Sequence, residues 1–495
     1  MIRARIGVAL GVVVVATIPA FRHANATAPT PHPAGAAPSI LLIVTDDQRW
    51  DTLWAMPNVR RLIGDRGTTF DDAFVVNPLC CPSRSSILTG DYSHTTGVYR
   101  ETPPFGAFPS FHDGSTIATW LHANGYTTAL FGKYIDAYQH AALTGYVPPG
   151  WDRWAAFVRS KYQDYKLTVD GDVRSYASAQ ADYSTNVLGD LADRFIRRTD
   201  GPVFVEFAPA APHAPAIPEP KDAAAFASLP PWRPPSYDEA DVSDKPAYVR
   251  DLPRLDNAER SAVDAFRRDQ YATLQSVDRQ VASLIDALRD TGRLDDTLIM
   301  FTSDNGLSWG EHRWTKKEVP YEESIRVPLV VRFDPLSAGA TATRSSDLAL
   351  NIDIASTVAD AAGIPAVTDG RSLLPVLAVD GTAAGWRTRF LIEHMQGTNP
   401  VPTYCAVRTE RYLYARYATG ERELYDLDSD PYEMSDIAGT APQQVAELQH
   451  ELDVLCDPEP PGYHPREGAV AAAMLAIASL GLGAAVRRRT RVRTR

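Results

Sequence analysis

A surplus of basic charge is what this chain most plainly lacks. Its 495 residues carry 49 Lys and Arg against 61 Asp and Glu, a formal net charge of −12. Nucleic-acid partners select basic faces, so this balance argues against one. Any anionic ligand must instead be attracted by charge gathered locally. Disorder is also argued against, because 44% of the chain is apolar and only 22% charged. No internal repeat is present. Cysteine is scarce, with four in the whole chain. The length suits one large α/β domain and a smaller one.

Both ends read as membrane segments. Residues 1–28 open with Arg3 and Arg5, continue through the apolar run Ile6 to Phe21, and close on Ala24-Asn25-Ala26. That is the layout of a secretory signal, with cleavage near Ala26 or Ala28; an uncleaved anchor is the alternative. Residues 29–38 follow as a Pro- and Ala-rich linker. At the other end 468–486 is free of charge, and the tail 487–495 carries Arg487, Arg488, Arg489, Arg491, Arg493 and Arg495. At about 1.5 Å per residue this stretch just crosses a bilayer core, with the arginines held on the cytoplasmic side. The expected topology is an exported domain tethered by its C-terminus; a secreted protein with a surface-lying or processed tail is the alternative. Disulfides persist outside the cell, so Cys405 and Cys456 are expected to pair.

Between the ends, short apolar runs stop abruptly in polar residues. Ser39 to Val44 ends in Thr45-Asp46-Asp47-Gln48, Thr127 to Phe131 in Gly132-Lys133, and Leu298 to Phe301 in Thr302-Ser303-Asp304-Asn305. Val203 to Phe207 leads toward His213, and Val327 to Val331 is a further run. Such runs suit strands buried on both faces of a parallel sheet. Helical patterns over Ser115 to Asn124 and Ala258 to Arg289 lie between them. An α/β domain over 39–386 follows, with polar residues gathered at strand C-termini. Over 387–457 the texture changes to short aromatic strands and a closing helix from Ala441 to Leu455, which predicts a small antiparallel sheet plus helix. The Pro-rich stretch Ser228 to Asp256 reads as a long irregular loop over the site or, equally, a surface insertion.

Asp46, Asp47, Asp304 and Asn305 offer three carboxylates and an amide oxygen, a donor set for a hard divalent cation. The absence of a His/Cys set argues against zinc there. A second pattern is Cys80-Cys81-Pro82-Ser83-Arg84-Ser85-Ser86-Ile87-Leu88-Thr89-Gly90. Pro82 can open a helix, where its missing N–H costs nothing. Cys80 would then sit near the positive end of that helix.

This motif, with the two metal pairs, resembles the signature of type I sulfatases over roughly 39–457. The resemblance implies an alkaline-phosphatase-like fold: a mostly parallel sheet flanked by helices, with the smaller C-terminal sheet packed on it. It implies that Cys80 is oxidised to Cα-formylglycine by a formylglycine-generating enzyme during maturation. One hydroxyl of the aldehyde hydrate attacks sulfur, and the other later collapses to expel sulfate. It implies calcium, or alternatively magnesium, on Asp46, Asp47, Asp304 and Asn305, with Arg84 steadying the hydrate and the carboxylates. His213 and Lys317 would serve the leaving group, and Lys133 would contact formylglycine and sulfate. Lys316 leaves the register of Lys317 open by one. Cys81 reads as structural filler.

One feature departs from the pattern. Many sulfatases carry a histidine two residues after the lysine of the Gly-Lys element, where this chain has Ile135; Asp136 is the nearby candidate. Gly132-Lys133-Tyr134 is closer to N-acetylglucosamine-6-sulfatases, which implies a sulfated sugar as substrate. Specificity would lie in 140–180 and 228–256. A phosphonate or phosphate monoester hydrolase on the same scaffold, and a surface protein with unmodified Cys80, are the alternatives. Glu311-His312 reads as a loop salt bridge.

Overall fold

The computed structural model describes residues 37–337, 342–378 and 383–465. The expected signal, most of the linker, and the charge-free and arginine-rich C-terminal segments lie outside them. Among the described residues no helix is long and apolar enough to cross a membrane.

Among the described residues ten strands form the main sheet: β1 (Ser39–Thr45), β2 (Thr68–Phe70), β3 (Thr127–Gly132), β4 (Arg153–Phe157), β5 (Tyr165–Val169), β6 (Asp172–Tyr176), β7 (Val203–Ala208), β8 (Thr297–Ser303), β9 (Leu329–Arg332) and β10 (Thr343–Ser345). Their order across the sheet is β10-β2-β9-β8-β1-β7-β3-β4-β5-β6. The five strands β8-β1-β7-β3-β4 run parallel. Side chains of β1 alternate between two cores: Ile40, Leu42 and Val44 face one, Leu41 and Ile43 the other. Burial on both faces explains why the strand is apolar without interruption. The amphipathic helices Ser184–Arg198 and Asn257–Asp290 cover one face, placing Leu188, Ala192, Val277, Val281 and Leu284 in the second core.

Two parts of the sheet differ from the sequence reading. Val327–Val331 was grouped with the parallel runs, yet β9 pairs antiparallel with β8. The connection between them is spent on the site loop and the short helix Glu322–Ile325 rather than on a long helix packed across the sheet face, the usual carrier of a parallel return. Within 140–180, the stretch expected to carry specificity, β4, β5 and β6 extend the sheet, the last two antiparallel.

A second sheet of β11 (Arg389–His394), β12 (Tyr404–Thr409), β13 (Tyr412–Tyr417) and β14 (Arg422–Asp426) is antiparallel throughout. The helix Pro442–Leu455 packs on it through Val445, Leu448 and Leu452. Cys405 on β12 and Cys456 at the helix end form a disulfide.

Candidate active site

Strand register brings the site together. Thr45 pairs with Ser303, so the residues that follow β1 and β8 emerge side by side. The Asp304 N–H donates to Thr45 O (3.1 Å), and the Asp47 N–H to Asp304 Oδ1 (3.1 Å). Asp47 holds φ +63°, a left-handed turn that Asp tolerates and that folds its carboxylate back toward its neighbours. On the other side Gly132 pairs with Ala208. A Cβ on Gly132 would fall 1.8 Å from Ala208 O, so only glycine lets β3 end there and deliver Lys133 to the same spot.

The motif forms the helix Cys80–Thr89, fully buried, with Pro82 in its first turn and Gly90 closing it at φ +81°. Cys80 is 1% exposed. Its Sγ lies 2.6 Å from Lys317 Nζ, 3.4 Å from Asp46 Oδ1 and 3.9 Å from Asp47 Oδ1. Burial, reinforced by Asp304, pushes its thiol well above the ordinary range, so as encoded it is a neutral thiol and a poor nucleophile. Cys81 is buried in the main core.

Three cations interlock with three carboxylates. Arg84 Nε donates to Asp304 Oδ2 (2.8 Å), Lys133 Nζ to Asp46 Oδ2 (2.8 Å) and Lys317 Nζ to Asp47 Oδ1 (2.6 Å). Burial opposes the charge of both lysines. Asp136 and Asp46 outweigh it at Lys133, and Asp47 with Cys80 at Lys317, so both ammoniums are held well above their usual range. Burial likewise opposes the charge of Asp46, but Lys133 and His213 bring it down to about 2. Lys316 Nζ turns outward to Asn399 Oδ1 (2.8 Å).

The donor chemistry fits a hard divalent cation. Asn305 Nδ2 donates to Asp47 Oδ1 (2.6 Å) and Gly306 O (2.8 Å). Its Oδ1 is buried with no hydrogen-bond partner among the described residues. Ligand atoms of Asp46, Asp47, Cys80 and His213 lie within 4.8 Å of one another. His213 sits at the mouth, 39% exposed. Its Nδ1–H donates to Ala214 O (2.7 Å), which leaves Nε2 facing Asp47 Oδ2 at 3.6 Å.

Asp136 Oδ2 lies 4.0 Å from Lys133 Nζ. Glu101 joins it: ligand atoms of Cys80, Glu101 and Asp136 fall within 4.8 Å of one another. The sequence reading missed Glu101, which lies in a loop with no pattern around it. It also missed Glu206, whose carboxyl lies buried near Arg84 with Oε2 unpartnered among the described residues. Here a signal existed, since Glu206 is the only charge in an apolar strand. Glu311 Oε1 accepts from Arg49 Nη1 (2.7 Å) and from Trp232 Nε1 (2.9 Å), fastening the Pro-rich loop beside the site.

Residues 38–364 match the Sulfatase family model, and 310–456 that of N-sulphoglucosamine sulphohydrolase, C-terminal. The N-acetylglucosamine-6-sulfatase of Homo sapiens is 31% identical over 471 residues, covering 84% of each protein. The extracellular sulfatase SULF-1 homolog of Drosophila melanogaster is 33% identical over 372 residues, 72% of this chain and 33% of that protein. This chain thus spans a third of that relative's length, and 52% of a Caenorhabditis elegans relative's. A solved structure in complex with its substrate D-glucosamine-2-N,6-O-disulfate superposes with TM-score 0.74 at 26% identity, covering 86% of this chain and 98% of that one. The phosphonate monoester hydrolase of Agrobacterium radiobacter shares the fold, at TM-score 0.66 and 23% identity over 84% of this chain and 95% of that one.

Proposed function

Because the chain belongs to the sulfatase family, we propose that it hydrolyses a sulfate monoester on a sugar, using formylglycine made from Cys80 beside a divalent cation. The observation that carries this reading is the meeting of Cys80, Lys317, Lys133 and the Asp46, Asp47, Asp304, Asn305 set at the C-terminal edge of one sheet. As its hydrate, formylglycine supplies an oxygen nucleophile that no encoded side chain offers. The cation, calcium first and magnesium second, supplies Lewis acidity and is held by Asp46, Asp47, Asp304 and Asn305.

The chain's own residues do the rest. Arg84 fixes Asp304, and Lys133 fixes Asp46, so the donors are preorganised. Asp46, Asp47 and Asp304 are matched by Lys133, Lys317 and Arg84, with Asp136 and Glu101 close by. A divalent cation would add the positive charge that draws a monoanionic ester despite the net charge of −12. Lys133 and Lys317 stay ammonium and bind sulfate oxygens. The N-terminal end of the Cys80–Thr89 helix adds to that field. As bond breaking proceeds, charge builds on the bridging oxygen. His213, at the mouth, is placed to donate to it.

The sugar substrate is supported by Gly132-Lys133-Tyr134 and by the relatives' names. Export is supported by the N-terminal layout and the extracellular relatives. The C-terminal tether is supported by sequence alone. Catalytic residues fall in 39–386, and 387–457 is a supporting subdomain.

The test is parallel turnover of an aryl sulfate, an aryl phosphate and glucosamine-6-sulfate, with mass spectrometry of the Cys80 peptide. Sulfate turnover, an aldehyde at Cys80, and loss of activity on chelation are expected. Preferred phosphate turnover, or an unmodified thiol in active protein, would overturn the reading.

A further inference from the structure

Away from Cys80 the structure gathers three other residues that the reaction does not use. His312, Glu323 and Glu433 are 0%, 6% and 0% exposed, and one ligand atom of each lies within 4.8 Å of the other two. They come from the loop after β8, the short helix before β9, and the turn after β14. We propose that they form a second, buried metal site, taking a borderline divalent transition ion, zinc first, which pins the C-terminal subdomain to the catalytic domain.

Three atoms carry the inference. His312 Nε2, Glu323 Oε2 and Glu433 Oε1 have no hydrogen-bond partner among the described residues. Buried polar atoms are otherwise satisfied almost without exception, so three in one cluster call for a common partner. Each is oriented by its other atom or its surroundings. His312 Nδ1–H donates to Glu239 Oε2 (2.7 Å), so Nε2 is the ring nitrogen left over. A carboxylate behind a ligating imidazole is the usual support of a metal histidine. Glu433 Oε2 accepts the Glu322 N–H (3.2 Å), so Oε1 is the atom left over. Tyr321 packs on the imidazole, with ring centroids 4.5 Å apart.

Charge points the same way. Among the described residues no ion pair reaches Glu323 or Glu433, and the cations nearby are committed. Arg49 serves Glu311 (2.7 Å), Arg408 serves Glu322 (2.8 Å), and Lys245 donates to the Glu433 and Met434 carbonyls (2.9 and 3.1 Å). Two unpaired buried carboxylates are costly. One divalent ion neutralises both without either taking up a proton. A nitrogen and two carboxylate donors suit zinc better than calcium.

The experiment is elemental analysis of the full-length protein, produced with zinc available and dialysed into calcium buffer. About one zinc per chain is expected, kept in Asp304→Asn and lost in His312→Gln and Glu433→Gln. Because those two variants can fail to fold, the wild-type protein is also loaded with Co2+, where a visible absorption band from a nitrogen–oxygen site is expected. The same measurement on His213→Ala, where zinc is expected to be kept, separates this site from the Asp46, Asp47, Cys80 and His213 group and from any failure of the sulfatase reading. Transition metal below about 0.1 per chain with no Co2+ band would overturn the proposal and leave the three side chains sharing protons.

Discussion

Glu206 is the only charge in Val203-Phe204-Val205-Glu206-Phe207, and it is buried in β7 next to the site. Burial raises its carboxyl from 4.5 to about 7, and Arg84 offsets only part of that. Below the unfolded value near 4.5 both states hold the proton and the group costs nothing. Between 4.5 and about 7 the unfolded state releases the proton first, so stability falls as pH rises. Above about 7 the cost levels at about 3 kcal/mol. Glu206→Gln should therefore raise Tm near pH 8 and leave it unchanged near pH 4.5, read by thermal melts at both. A pH-independent shift would sink this account. A second residue-scale prediction separates the paired lysines. Lys317 touches Cys80 and Asp47, whereas Lys316 reaches Asn399 on the surface. Lys317→Ala should lower kcat/KM by about a hundredfold or more, and Lys316→Ala by less than about threefold. The residues after β1, β3 and β8 were legible in the sequence because each ends an apolar run on polar side chains. Glu101 was not, since only the fold carries its loop to Cys80.

At the scale of elements, legibility followed burial. The central strands were readable because both faces are covered, which demands an unbroken apolar run. β6 reads Asp-Val-Arg-Ser-Tyr, an exposed edge strand, and nothing in that pattern separates it from a loop. The helix Asn257–Asp290 announced itself by period; the structure adds its Asp256 cap, whose carboxylate accepts from the Ala258 and Glu259 N–H groups. The Cys405–Cys456 bridge joins elements 51 residues apart. A loop of that length contributes about 4 kcal/mol in the chain-entropy account. The double variant Cys405→Ala/Cys456→Ala should lower Tm clearly while leaving kcat nearly unchanged, because neither residue approaches the site. A loss of kcat at temperatures where the variant is folded would show that this subdomain shapes the site directly.

At the scale of the molecule, the boundary near 386 is real in texture but not in packing. One core cluster holds Phe74, Val76, Tyr321 and Ile325 from the larger part with Phe390, Ile392, Tyr404 and Tyr425 from the smaller. Polar ties run through it: Arg408 Nε to Glu322 Oε1 (2.8 Å), Tyr321 OH to Glu423 Oε2 (3.0 Å), and Tyr404 OH to Glu318 O (3.0 Å). Lys317, at the site, lies one residue from Glu318 and four from Tyr321. Removing the second sheet would expose this apolar surface and strip buried groups of their partners, each worth about 1–3 kcal/mol. The two parts should therefore unfold together. Calorimetry of the intact chain, with calcium saturating, should give one transition whose calorimetric and van't Hoff enthalpies agree, and a chain ending at Trp386 should not fold. Two transitions separated by more than about 10 °C, or a soluble and active 39–386 fragment, would mean that the smaller sheet is an accessory and that the site is set by the larger domain alone.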